Sequence, residues 1–287
     1  MQVIPYFPQL PLSRQFSFSN NNLPGDLYNY VREGDAMLMK NFKRTVSVIL
    51  AISGILIDKI TLLRFILLLI IFECFLLNIL FLDYVSFLFA FIFFSIVFII
   101  RYIFLFCSFI NKGIADRLKW RFGEEHGFEI YKVITACMFF FSGTGFGLLV
   151  SKSSGILFPD LSNSLLQPIG ILLIAIGMGT NIWSTFVVGI DIYYYKDLFL
   201  QRKISKFKRK GPYNIVSNPM YSLGQVNGYG AAILCASLPG VIFIFLNQLM
   251  MYIFYFTIEK PHIKRVFDEK RAYNALILVQ KEGTSVN

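Results

Sequence analysis

Polar and apolar positions do not alternate along this chain; they come in blocks. Apolar runs cover about 60–82, 84–110, 132–151, 169–190 and 229–257. Each is long enough to cross a hydrocarbon core that needs roughly 20 helical residues. The pattern predicts an all-α integral membrane fold, a polytopic helical bundle of about five to six transmembrane helices. A shorter run, Val46–Ile57, ends at Asp58-Lys59 and reads as interfacial or re-entrant. The stretch from Met220 to Thr257 is apolar except for Ser237-Leu-Pro-Gly240, a break that divides it into a C-terminal helical hairpin. Between the runs, 111–131 reads as a solvated, mixed-charge amphipathic piece, and 152–168 as a polar loop ending in Pro168. Three regions result: an N-terminal cytosolic segment over 1–45, membrane helices over 46–190, and a basic loop, motif, hairpin and tail over 191–287.

Composition agrees with the pattern. The chain is 56% hydrophobic and only 15% charged over 287 residues, a balance that excludes an ordinary soluble domain. The N-terminal segment has no apolar core of the kind a cleavable signal needs. Cys74, Cys107, Cys137 and Cys235 stand singly in apolar runs, and His126 and His262 are the only histidines, so no metal site is expected. The +10 formal charge concentrates in Arg202–Lys210 and Lys260–Arg271. By the positive-inside rule both clusters face the cytosol, which places both termini there, in an endoplasmic reticulum or bacterial inner membrane. The same charge attracts anionic lipid headgroups; no motif supports nucleic-acid binding. Glu73 and Arg101 fall within or near the ends of apolar spans, where Glu73 needs a partner and Arg101 can snorkel. Gly143-Thr-Gly-Phe-Gly147 lacks the strand a nucleotide loop requires, and Gly143 and Gly147 are expected to serve close helix packing.

The chemistry concentrates in Gly211-Pro-Tyr-Asn-Ile-Val-Ser-Asn-Pro-Met-Tyr221, entered from a basic loop. Gly211-Pro212 sets a turn. Asn218-Pro219 reads as a helix start, Asn at the cap and Pro at the first helical position. A helix from Pro219 would align Gly224, Gly228, Ala231 and Cys235 on one small-residue face, open to a helix or a ligand. The hairpin out to Ser237 and back to Glu259 should bring Asn218, Tyr221 and Glu259 together at one membrane face.

These residues resemble the signature of the membrane methyltransferases that include phosphatidylethanolamine N-methyltransferases and isoprenylcysteine carboxyl methyltransferases. The likeness runs from about Asp191 to Tyr273. It implies that S-adenosyl-L-methionine is bound by Gly211, Pro212, Tyr213, Asn218, Pro219, Met220, Tyr221 and Gly224, together with Glu259. Gly228-Tyr-Gly230 resembles a Gly-x-Gly element of the phospholipid enzymes, which implies that Gly228 and Gly230 bind the cofactor too, and Glu259 matches the first acid of their acidic pair. Two positions depart from the pattern: Asn218 stands where His is frequent, and Lys260 replaces the second acid. The resemblance implies a membrane-lipid substrate, with the amine of phosphatidylethanolamine or a related lipid as methyl acceptor. Tyr213 and Tyr221 could face a sulfonium by cation–π attraction. Glu259 and Tyr221 are the catalytic candidates, Glu259 as a base for an ammonium nucleophile or as a ligand of the cofactor's ribose or amino group. Arg202, Lys208 and Arg209 are candidates for a lipid phosphate. An isoprenylcysteine carboxyl methyltransferase-like enzyme is the runner-up. A non-catalytic scaffold, supported by the lost second acid, and a transporter, hinted at by Glu73, Arg101 and broken helices, are the readings from other classes.

Overall fold

The computed structural model describes residues 40, 42–56, 64–69, 71–72, 82–110, 112–155, 163–202 and 210–266. The chain divides into two compact units, Met1–Arg44 and Thr45–Asn287. Nearly all of the first unit lies outside the described residues, as does most of the span expected near 60–82, with Glu73.

Within the second unit every regular element among the described residues is helical. Residues 45–52 are helical and close in a turn at Gly54, where φ is 90° and an added Cβ would meet the Ala136 carbonyl oxygen. Helix α1 spans Phe87–Phe109, starting where the Ser86 hydroxyl accepts from Phe89 N. Gly123, with φ 77°, separates α2 (Ile114–Phe122) from α3 (Glu124–Lys152). Then come α4 (Asn163–Val188), the short α5 (Ile190–Tyr193) and α6 (Lys196–Leu200), and 3-10 turns at Gly211–Asn214 and Leu223–Gln225. Helices α7 (Val226–Leu234) and α8 (Leu238–Phe254) form the hairpin, and α8 runs through a π-helical turn, Tyr255–Glu259, to residue 266.

Helices Phe87–Phe109, Glu124–Lys152, Ser164–Val188 and Leu238–Val266 are long and apolar enough to cross a membrane. They expose Ile96, Ile99 and Ile103 of α1, Ile171 and Leu172 of α4, and Phe245 and Leu249 of α8. A soluble bundle would turn such side chains inward, whereas lipid is as good a solvent for them as a protein core. The molecule is an all-α polytopic membrane protein.

Several expectations change in detail. The mixed-charge piece at 111–131 is not a loop: α2 and the first turns of α3 occupy it, and α3 starts at Glu124 rather than 132. Pro168 lies inside α4 instead of ending the loop before it. Gly143 and Gly147 face open space, and the packed glycine is Gly145, whose Cβ would lie 3.1 Å from the Phe93 ring. The register differs because helix faces turn through about 100° per residue, so Gly145 points away from the side that Gly143 and Gly147 share.

Glycines of α4 set the position of the hairpin. A Cβ on Gly177 would clash with Asn227 N, and one on Gly170 would lie 2.9 Å from the Gly230 carbonyl oxygen. Without Cβ atoms the α4 and α7 backbones approach closely, the packing that drives helix association in lipid. At the far end Ser237 caps α8 by accepting from Gly240 N at 3.0 Å, and its hydroxyl meets Ser153 at 2.6 Å.

Buried charge in the N-terminal third of α3 is paired. Lys132 Nζ meets Asp191 Oδ1 at 2.8 Å, and Lys196 Nζ meets Oδ2 at 3.2 Å. Burial alone would raise the Asp191 carboxyl. The Lys132 hydrogen bond and the two positive charges outweigh it and hold the group below the usual carboxylate range.

Candidate functional site

The motif segment does not fold as the sequence predicts. Residues 219–222 form an irregular turn, Leu223–Gln225 a 3-10 turn, and the α-helix begins only at Val226. Asn218 is therefore not the cap of a regular helix, although its carbonyl accepts from Ser222 N at 3.1 Å. Non-helical backbone among membrane helices requires partners for its polar groups. Gln248 Nε2 donates to the Tyr221 carbonyl at 3.2 Å, Asn181 Nδ2 to the Gly224 carbonyl at 3.0 Å, and Gln225 Nε2 to the Met220 carbonyl at 3.3 Å. Amides from α4 and α8 thus hold the segment open. Asn247 Nδ2, donating to Gln225 Oε1 at 2.8 Å, fixes the Gln225 side chain in turn.

The segment opens onto a cavity of about 410 Å³, within the usual size range for small-ligand sites. Of the residues singled out in the sequence, Tyr213, Asn218, Met220, Tyr221 and Glu259 line it. The Tyr221 hydroxyl donates to Glu259 Oε2 at 2.7 Å across 38 positions of chain. Hairpin and π-helical turn together bring this pair into contact, and π-turns recur at functional sites because they re-aim one side chain. Burial, and then the Glu259 charge, hold the Tyr221 phenol well above its ordinary pKa, and the same two causes raise Tyr213. Both therefore stay protonated donors at neutral pH.

The remaining singled-out residues sit elsewhere. Gly211 makes its turn with φ 59°, against the Trp183 indole. Pro212 and Pro219 are buried. Gly224 packs on Asn181, Gly228 on Ile244 and Gly230 on the Gly170 backbone, so the small-residue face meets helices. Arg202 pairs with Glu124 at 2.6 Å and is absent from the cavity wall. Lys208 and Arg209 lie outside the described residues. Lys260, in the place of a second acid, sets its ammonium 5.2 Å from the Phe256 ring centroid.

Other walls carry no family signature. Tyr195 and Asp197 both line the cavity. Tyr195 adopts the left-handed φ of 61°, uncommon for a residue with a side chain. Its phenol, raised first by burial and then by Glu259, is hydrogen-bonded to Tyr221. Asp197 adds a second carboxylate to the same cavity, from a different element than the expected acidic pair. Arg101 enters from α1; instead of snorkelling, it donates to Ser142 Oγ at 3.1 Å and Asn247 Oδ1 at 3.4 Å. The sequence marks Arg101 as a charge in an apolar span, but nothing local ties it or Asp197 to the motif, which each joins only through packing of remote helices.

The arrangement can hold a cation between phenols and carboxylates and remove a proton at Glu259. Residues 166–270 match the phospholipid methyltransferase family. Curated proteins similar to part of the chain include phosphatidylethanolamine N-methyltransferases. That of Eremothecium gossypii is 26% identical over 99 residues, 34% of this chain and 12% of its own length. That of Malassezia globosa is 28% identical over 102 residues, 36% of this chain and 10% of its own. The chain thus spans about a tenth of the length of these curated relatives. No solved structure matches it. The segment carrying Tyr195, Asp197, the 211–224 motif and Glu259 is therefore similar in sequence to the phospholipid methyltransferase family, and it lies within a polytopic membrane protein.

Proposed function

We propose that this protein is an S-adenosyl-L-methionine-dependent membrane methyltransferase acting on the amine headgroup of phosphatidylethanolamine or a related lipid. The observation that carries the reading is the Tyr221–Glu259 hydrogen bond in the wall of the cavity, with both residues inside the family-matched segment. The cavity suits a sulfonium cofactor: Tyr195, Tyr213, Tyr221 and Tyr255 supply aromatic faces, and Glu259 and Asp197 supply negative charge. Bound there, S-adenosyl-L-methionine supplies an activated methyl group.

The chain's own task is orientation, exclusion of water and proton handling. An ammonium headgroup has no lone pair until it loses a proton, and Glu259 is the acceptor at the wall. The Tyr221 hydroxyl fixes one carboxylate oxygen, Oε2, and so orients the group at the wall. Asp197 offers a second acid where Lys260 removes the expected one: it shares the cavity with Glu259 and weakens the case for a non-catalytic scaffold. The phosphate role drawn for Arg202 loses its support, since Glu124 occupies that guanidinium.

The test supplies methyl-labelled S-adenosyl-L-methionine with phosphatidylethanolamine or a prenylated cysteine in mixed micelles. Label in the lipid headgroup is expected, at a rate rising with pH as the ammonium deprotonates. Label confined to a base-labile ester of the prenylcysteine, at a rate flat above about pH 5, would replace this acceptor with the carboxylate one.

A further inference from the structure

We propose that Arg101 forms an oxyanion subsite at the inner end of the cavity, taking a carboxylate or phosphate group of a zwitterionic ligand. Only the identity of that ligand rests on the methyltransferase reading. Arg101 lies outside the family-matched residues, on α1. Along α8 the cavity extends from Met251 to Val266, and Arg101 reaches Asn247, beyond the Met251 end. At 1.5 Å per residue, Asn247 and Glu259 are separated by about 18 Å of helical rise.

The guanidinium is solvated by neutral groups only. Its hydrogen bonds go to Ser142 Oγ and Asn247 Oδ1, and Phe139 and Tyr102 lie with ring centroids 4.8 and 5.4 Å from its central carbon. Its Nε is buried with no hydrogen-bond partner. Among the described residues no carboxylate pairs with it, whereas buried Lys132 and Arg64 pair with Asp191 and Glu129. An unneutralised cation in a membrane span is costly and marks a ligand path. A planar guanidinium with N–H groups to spare is shaped for an oxyanion. The cavity is therefore bipolar, with Arg101 toward one end and Glu259 and Asp197 lining the other walls. Such a field fits a ligand with a cationic centre and an oxyanion. The amino-acid end of the methyl donor and a phosphoethanolamine headgroup both meet that description.

Two matched pairs of probes separate the sources, with affinities measured on purified protein in nanodiscs. S-adenosylhomocysteine carries a carboxylate that 5′-methylthioadenosine lacks. Short-chain phosphatidylethanolamine carries a phosphate that short-chain diacylglycerol lacks. Arg101→Gln should weaken the oxyanion-bearing member of one pair about ten- to a hundred-fold, leaving its counterpart unchanged. Loss confined to the first pair assigns the carboxylate, and loss confined to the second assigns the phosphate. Arg101→Lys, which keeps charge but loses the fork, should show the same selectivity at about tenfold, and it decides the matter if Arg101→Gln does not fold. Equal loss for charged and uncharged members, or no loss at all, overturns the subsite and leaves the methyltransferase reading standing if wild type binds S-adenosylhomocysteine. Wild type that binds neither nucleoside yet loses phosphatidylethanolamine through Arg101→Gln keeps the subsite and removes the methyl-donor reading. Wild type that binds none of the four overturns both.

Discussion

At the scale of single residues, Glu259 and Tyr221 form one unit. Tyr221 has no charge of its own to offer; its hydroxyl orders the carboxylate, and its raised pKa keeps that hydroxyl a donor. Glu259→Gln should therefore lower turnover by about 10²- to 10⁴-fold, the usual contribution of a general base. Tyr221→Phe keeps the ring and loses the hydrogen bond, so roughly a tenfold loss is expected. The double variant should be no worse than Glu259→Gln, because residues acting as a unit are not additive. Kinetics with labelled donor check this. A double variant whose loss equals the product of the two single losses would show that the residues act independently.

At the scale of elements, glycine placement decides which helices touch. Gly177 lies where an added Cβ would clash with Asn227 N, and Gly230 where it meets the Gly170 carbonyl oxygen at 2.7 Å. Both contacts are to backbone and cannot be relieved by a rotamer change. Gly177→Ala and Gly230→Ala should each destabilise the folded protein by about 1–3 kcal/mol or more. Gly143→Ala and Gly147→Ala enter open space and should be neutral or stabilise by about 0.5–1 kcal/mol each, the ordinary helix-propensity gain. Unfolding midpoints in detergent measure the difference. Equal cost at all four sites would mean that the packing of α4 on α7 is not what the glycines provide. Since Asn181 of α4 also holds the motif turn, cofactor affinity should fall along with stability in Gly177→Ala.

At the scale of the whole molecule, the site depends on where the membrane lies. The basic clusters at 202–210 and 260–271 predict that the motif end of the hairpin and both termini face the cytosol, with the Ser237–Gly240 turn toward the opposite face. On a cysteine-free background, Lys208→Cys should be shielded from an impermeant thiol reagent applied outside, while Lys152→Cys should react. The reverse pattern would invert the molecule and remove the cytosolic route for a soluble cofactor. With the predicted orientation, a lipid headgroup can enter sideways while the nucleoside enters from the cytosol.

Hydrophobic patterning determined the fold class, most span positions and the hairpin break at Ser237-Leu-Pro-Gly240, because crossing lipid constrains length and polarity locally. The spacing of Tyr221 and Glu259 across that hairpin made their meeting legible too, since the chain runs out and back over similar numbers of residues, although the outgoing arm is only partly α-helical. The irregular turn at 219–222 was not legible. Asn-Pro favours a helix start locally, and only amides reaching in from Asn181 and Gln248 satisfy the unwound backbone. Gly143 and Gly147 carry the spacing of a packing motif, but which face meets a neighbour depends on where α1 lies, and that selects Gly145. Arg101, Tyr195 and Asp197 join the cavity through contacts among helices remote in sequence. Such contacts leave no local signature, so tertiary structure alone decided that a cation on α1 and a carboxylate after the tyrosine run share one site.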